Sequence, residues 1–272
     1  MQAYTRDFPV ERNLTGKTAL VTGSSSGIGL GIAKALASRG SRVVVHGIEP
    51  AAQLEELATR LRHEYDVPVF AVSADLADED QVRALVREAT ELAGPIDILV
   101  NNAGIQHVAG VESFEVAKWR QLLDIHLTAP FLLTQLLLPK MKERGWGRLV
   151  NIASVHGLIA SAQKSAYVAA KHGLVGFTKT VALETAETGI TSNAICPGWV
   201  RTPLVEAQIA ARAEREGTDV ETASRALLGE KQPSKRFVTV DQLGAMVNFL
   251  CSEAGSSMTG SVLTMDGGWT AQ

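Results

Sequence analysis

Tyr167 and Lys171 stand four residues apart in a stretch with helical spacing, so on a helix they share one face a single turn apart. A phenol beside an ammonium group is a candidate general acid or base. Free phenols titrate near 10, but a positive charge about 4 Å away contributes roughly 4 kcal/mol at an effective dielectric near 20. That is enough to bring proton exchange by Tyr167 close to neutral pH. Ser154, earlier in the chain, offers a hydroxyl that could orient a substrate oxygen while Tyr167 gives or takes its proton. This chemistry needs no metal.

A second constellation is built for backbone rather than side-chain chemistry. Thr22-Gly23-Ser24-Ser25-Ser26-Gly27-Ile28-Gly29 follows a short apolar run and leads into a helical pattern. Glycines at Gly23, Gly27 and Gly29 let the chain turn tightly and bring N–H groups to a pyrophosphate, whose charge the helix N-terminus favours. Ser25 and Ile28 lie within that turn. A three-glycine turn alone is a weak signal; strand before and helix after make a dinucleotide the leading ligand. Asp75, followed by Leu76, could accept from an adenine amino group or serve as the N-cap of the next helix. Asn101-Asn102-Ala103-Gly104 ends a later apolar run, where Asn102, Ala103 and Gly104 could let a flat ring lie against the strand ends, or could form a plain turn.

The elements that must carry these residues alternate. Strands are expected at 17–22, 42–46, 69–73, 96–100, 148–152, 191–195 and 262–265, and helices at 27–38, 51–63, 79–92, 117–144, 165–187 and 240–251. Continuous apolar strands alternating with helices imply a parallel sheet covered on both faces. The expected architecture is α/β: one doubly wound, three-layer domain over 1–272 with a seven-stranded parallel sheet. Residues 1–13 read as an N-terminal extension without the apolar stretch of a signal peptide. Segment 201–236 is too long for an ordinary connection and reads as a helical substrate lid, or as a surface helical pair.

Composition narrows the function. Hydrophobic residues make up 46% and charged residues 20% of the 272, which excludes a disordered or coiled-coil chain. With 26 Lys+Arg against 29 Asp+Glu the basic footprint of a nucleic-acid binder is missing, and small ligands are favoured. The two cysteines, Cys196 and Cys251, lack metal-site or redox-pair spacing and suit a reducing compartment. The apolar run 122–138 is broken by Asp124, His126, Pro130 and Gln135, and reads as a buried helix rather than a membrane span.

Taken together, the sequence resembles the short-chain dehydrogenase/reductase family over nearly its whole length. TGxxxGxG matches 22–29, NNAG matches 101–104, YxxxK matches 167–171, Ser154 has the family's spacing to the tyrosine, and Pro197-Gly198 matches its PG motif. The resemblance implies a Rossmann-type fold and hydride transfer with a nicotinamide cofactor. It implies that Tyr167 is the acid/base, that Lys171 lowers its pKa and binds the nicotinamide ribose, and that Pro197 and Val200 lie along the cofactor. One position departs from the pattern. The family's fourth catalytic residue, an Asn, is replaced by His126, which is expected to be neutral and to act either as a relay or in packing. The acid that usually binds the ribose falls at Gly47, with Glu49 two residues late; a 2′-phosphate would be repelled there, which favours NAD.

Gln106, His156, Lys164 and Gln208 can converge beside the catalytic oxygen in this architecture, and one cation with several donors suits a small carboxylate. Trp199 could close the pocket against a short alkyl end. Each also has a plain surface or loop reading. The segments around these residues resemble the family's bacterial 3-hydroxybutyrate dehydrogenase subgroup, in which the matching Gln, His, Lys and Gln bind the substrate carboxylate. That resemblance implies interconversion of (R)-3-hydroxybutyrate and acetoacetate with NAD by a cytoplasmic homotetramer, with no nucleic-acid or membrane partner. The competing readings are an NADPH-dependent 3-oxoacyl-carrier-protein reductase, which should show a basic 2′-phosphate site, another short-chain dehydrogenase, and a catalytically idle dinucleotide-binding regulator.

Overall fold

Runs such as Ala19-Leu20-Val21 and Val43-Val44-Val45 carry no polar face, so they are stable as strands only where both faces of the sheet are covered. The computed structural model, which describes residues 12–272, has this arrangement. In chain order it runs β1 (Thr18–Val21), α1 (Gly27–Ser38), β2 (Arg42–Gly47), α2 (Ala51–Tyr65), β3 (Val69–Ser73), α3 (Glu79–Ala93), β4 (Ile98–Asn101), α4 (Val116–Leu123), α5 (Ala129–Arg144), β5 (Gly147–Ile152), α6 (Ser165–Glu184), β6 (Ile190–Pro197), α7 (Pro203–Glu216), α8 (Val220–Gly229), α9 (Val240–Cys251) and β7 (Val262–Met265). The expected extension 1–13 lies outside the described residues except for its last two.

All seven strands are parallel, in the order β3-β2-β1-β4-β5-β6-β7. The chain reverses between β3 and β4, so a crevice opens at the carboxyl ends of β1 and β4, where ligands of open α/β sheets bind. Inner strands β1, β4, β5 and β6 are buried at every residue, whereas the edge strands β3 and β7 are only partly so. Two cores cover the sheet. One packs Ile32 and Leu36 of α1 with Leu243 and Val247 of α9; the other packs Leu85 and Ala89 of α3 with Leu133 and Leu137 of α5.

The strands and helices fall where the alternation placed them, with one instructive exception. The helix expected over 117–144 is split by a π turn at Asp124–Thr128. Pro130 has no N–H to give the carbonyl of His126 four residues back, so regular α bonding cannot continue there. By length and composition alone the stretch Val116–Arg144 could cross a membrane, despite the interruptions noted in its sequence. Packing decides otherwise: half of its most apolar window is buried, with Ile125, Ala129, Leu132 and Met141 in the core.

Segment 201–236 forms α7 and α8. Thr202 caps α7 by accepting from the Val205 N–H, Asp219 caps α8 by accepting from the Thr222 N–H, and Gly217 closes α7 at φ +64°. Val205, Ile209, Ala213 and Ala223 give the pair its own apolar cluster, against which Trp199 packs.

Candidate active site

The glycine turn is shaped by close backbone approach. Gly23 lies at φ +61°, and a Cβ there would stand 2.8 Å from Ala103 Cα; a Cβ on Gly29 would strike the Gly23 carbonyl oxygen. Gly27 also has positive φ, and Ile28 lines the cleft beside it. The Ser26 side chain at the N-cap of α1 makes no cap bond, which leaves the helix N-terminus open to an anion. Ser25 stands partly exposed in the same turn. These features fit a pyrophosphate.

Thr22 knits this turn to the β4 loop. Its Oγ1 accepts from the N–H of Asn102 (3.0 Å) and of Ala103 (3.1 Å), while Asn102 Nδ2 donates to the carbonyls of Thr22 and Gly23. The Asn102 amide protons are therefore consumed by structure, and what it and Gly104 offer a ligand is the cleft wall they line.

The end of β2 holds a residue that sequence reasoning missed. His46 is buried; its Nδ1 accepts from the Gly23 N–H (3.1 Å) and its Nε2–H donates to the Ala74 carbonyl (3.1 Å), clamping the glycine turn to the end of β3. Burial lowers its pKa to about 4, so it is neutral. A polar residue closing an apolar strand was the available signal. Beyond it, the Glu49 side chain folds over Gly47, where a Cβ would strike its Oε2, and that oxygen is buried without a partner among the described residues. Asp75 is exposed and its Oδ1 accepts from the Ala77 N–H; Asp78, not Asp75, caps α3. Leu76 is buried in the core. Neither Asp75 nor Leu76 reaches the cleft that holds the catalytic candidates.

That cleft opens beside β4, β5 and β6. Ser154, Tyr167 and Lys171 all line it. Ser154 sits where β5 leads into a 3-10 turn, its Oγ accepting from the His156 N–H (3.2 Å). The Tyr167 hydroxyl meets the side chains of Ser154 and Gln106. Its pKa stands above the usual value, because burial outweighs the lowering by those two hydrogen bonds. The Lys171 amine lies 5.6 Å from the centre of the Tyr167 ring and donates to the Ile152 carbonyl (2.7 Å), and burial lowers its pKa to about 8. For both groups burial is the largest influence.

His126 is buried in the π turn, edge-on to Tyr167 at 5.1 Å. Its Nε2 lies within hydrogen-bond distance of both the N–H (3.0 Å) and the carbonyl (2.8 Å) of Ile105, while its buried Nδ1 has no partner among the described residues. Burial, then the Lys171 charge, lowers its pKa to about 3, and it is neutral as expected. A side chain on Gly104 would strike its ring, so His126 packs directly beneath the β4 loop.

Gln106, His156, Lys164, Trp199 and Gln208 line the same cleft, as do Pro197 and Val200. His156 shares Ser154 Oγ at 3.4 Å and Ser161 Oγ at 2.8 Å, and burial lowers its pKa to about 4. The Lys164 ammonium stands 5.7 Å over the Trp199 ring, its pKa also lowered by burial. Trp269, from the C-terminal turn, joins the wall: it stacks on Trp199 at 6.0 Å and meets His156 edge-on at 5.6 Å. Nothing in sequence spacing linked it to the cleft.

The model of the short chain dehydrogenase family matches residues 17–213. A D-beta-hydroxybutyrate dehydrogenase of Cupriavidus necator is 55% identical over 263 residues, covering 95% of this chain and 100% of that protein. One from Rhizobium meliloti is 43% identical over 256 residues, covering 94% and 99%. Among solved structures, L-sorbose reductase from Gluconobacter frateurii, complexed with NADPH and L-sorbose, superposes with a TM-score of 0.92 at 32% identity, covering 96% of this chain and 99% of that one. The likeness runs along nearly the full length of these proteins, and the chain belongs to the short-chain dehydrogenase family.

Proposed function

We propose that this chain interconverts (R)-3-hydroxybutyrate and acetoacetate with NAD. One observation carries the reading: Gln106, His156, Lys164 and Gln208 line a single cleft with Ser154 and Tyr167. Four polar side chains including one cation suit a carboxylate held next to a reacting carbon. The full-length likeness to two proteins named D-beta-hydroxybutyrate dehydrogenase points the same way.

In the oxidative direction the bound nicotinamide supplies the hydride acceptor. Ser154 holds the substrate hydroxyl and Tyr167 takes its proton. Lys171 lies behind the tyrosine and, when charged, favours its phenolate and can bind the nicotinamide ribose. Lys164 has no ion-pair partner among the described residues and its pKa is lowered by burial, so a substrate carboxylate would supply a counter-charge. Neutral His156 donates or accepts without adding charge. Trp199 and Trp269 wall the short alkyl end, and the Trp199 indole N–H, buried and unpartnered among the described residues, is a further donor. Pairing α7 and α8 over this wall makes 201–236 the lid of a single catalytic domain, and the reading includes a homotetramer in the cytoplasm.

Glu49 supports NAD over NADP. Its carboxylate fills the space over Gly47 that a ribose-binding acid would take, and it would repel a 2′-phosphate. Replacing Glu49 with Gln should narrow the preference in direct binding titrations of NADH and NADPH.

The deciding experiment follows NADH absorbance with (R)-3-hydroxybutyrate, its S enantiomer and an acetoacetyl thioester. Turnover of the R acid with NAD is expected. Failure of the free acid at saturating NAD, with turnover of the thioester and NADPH, would transfer the assignment to a carrier-protein reductase.

A further inference from the structure

Gln232 is a polar side chain only 1% exposed, and it lies outside the cleft. It follows α8 on the return limb of segment 201–236. Its Oε1 accepts from the Trp199 N–H at 3.0 Å, and its Nε2 donates to the Arg236 carbonyl. Gly198 is pressed between Gln232 and the β7 end: a Cβ there would stand 2.6 Å from Gln232 Oε1 and 3.0 Å from Asp266 Cα. Asp266 in turn holds the C-terminal turn. Its Oδ1 accepts from the Gly268 N–H (3.0 Å), and its Oδ2 accepts from the Thr270 N–H (2.8 Å) and hydroxyl (2.6 Å). The residue framed by those bonds is Trp269. The limb is tied to both sides, since the Ser234 N–H donates to the Gly267 carbonyl and the Val238 N–H to the Trp199 carbonyl.

Three segments distant in sequence therefore meet at one buried amide, and two of them each carry one of the stacked tryptophans. The geometry points to Gln232 as a positioning residue that, with Asp266, holds Trp199 and Trp269 in register and so sets which acids the cleft accepts. It does this without touching the substrate. A buried amide satisfied on both ends fixes one geometry, because moving it would strand a buried donor or acceptor. An apolar residue of similar size would fill the space but leave the Trp199 N–H unpaired and the indole free to tilt. This inference rests on the cleft being the acid-binding site.

The test uses Gln232→Met, close in volume, and Asp266→Asn, in the full-length protein. Three quantities are read: the exciton signal of the stacked indoles by circular dichroism, referenced to Trp269→Phe; KM and kcat for (R)-3-hydroxybutyrate; and NADH affinity by fluorescence, alongside Tm. Gln232→Met should lose most of the indole signal and raise KM at least about tenfold, with kcat and NADH affinity within about threefold of the parent. Asp266→Asn should do the same, and the double variant should be no worse than about twofold beyond the worse single one, as for two parts of one unit. An unchanged indole signal and KM in folded Gln232→Met overturns the inference. So does a parallel loss of KM, kcat, NADH affinity and Tm, which marks plain destabilisation. If Gln232→Met fails to fold, Asp266→Asn decides by the same readouts. The indole signal is read without substrate, so failure of the parent to turn over the free acid counts against the substrate assignment and leaves this test standing.

Discussion

The two sides of the ligand crevice are built by different means. On the β1–β3 side the recognition surface is mostly backbone: three glycines, an uncapped helix end and a neutral histidine that clamps the turn. On the β4–β7 side it is side chains from six separated segments lining one cleft, His126, Ser154, His156 and Lys171 among them buried. Backbone recognition depends on the absence of Cβ atoms over a few adjacent residues, so it is local. Side-chain recognition depends on long-range docking of loops, a lid and the C-terminal turn. Damage should consequently be separable, with chemistry lost on one side and coenzyme affinity on the other.

Tyr167→Phe should break the comparison most sharply. Removing the proton shuttle is expected to lower kcat by about a thousandfold or more while NADH affinity, measured by fluorescence titration, changes little. A matching loss of NADH affinity would show that the two sides are not independent. Gly29→Ala tests the opposite side. Its Cβ would meet the Gly23 carbonyl and the Asn102 amide, and overpacking of about 1–3 kcal/mol corresponds to roughly ten- to hundredfold weaker NADH binding. Thermal midpoint and NADH titration together distinguish this from global unfolding.

The His46 clamp sharpens the contrast through pH. Its folded pKa of about 4 lies below the unfolded value of 6.5. Between those values the unfolded chain binds a proton that the native state does not, so stability falls as pH drops from 6.5 toward 4. The contribution is about 3 kcal/mol, and His46→Gln should make that acid limb shallower in urea titrations across pH 4–7, the remainder coming from His126 and His156. An unchanged limb would mean the ring is not buried neutral. The smallest effect is expected for His126→Asn. An amide can still meet the N–H and carbonyl of Ile105, so kcat should stay within about tenfold; a loss of a hundredfold or more would mean the imidazole itself takes part in proton movement.

Much of this was legible before any coordinates. The glycine turn, the helical pairing of Tyr167 with Lys171 and the helix bounds 27–38 and 240–251 follow from local spacing, and each is found in place. The convergence of Gln106, His156, Lys164 and Gln208 was also anticipated, although from likeness to a family rather than from periodicity. Other features were not legible. His46 looked like one more strand residue until its two partners, 23 and 28 positions away, came into reach. Asp75 reads as a contact for an adenine amino group or as a helix cap, and the cap is Asp78 instead. For the phenol of Tyr167, burial, which spacing along the chain does not reveal, is the largest influence on its pKa.

What the order of residues determined alone was the alternation of elements, the turn chemistry and the identity of the reactive groups, since each rests on interactions within a few positions of the chain. Only the tertiary structure decided the protonation tendencies of His46, His126, Tyr167 and Lys171, the enlistment of Trp269 in the cleft wall, and the Gln232–Asp266 junction behind it. Those depend on burial and on contacts between distant segments, and both come into being only when the sheet closes and its loops dock.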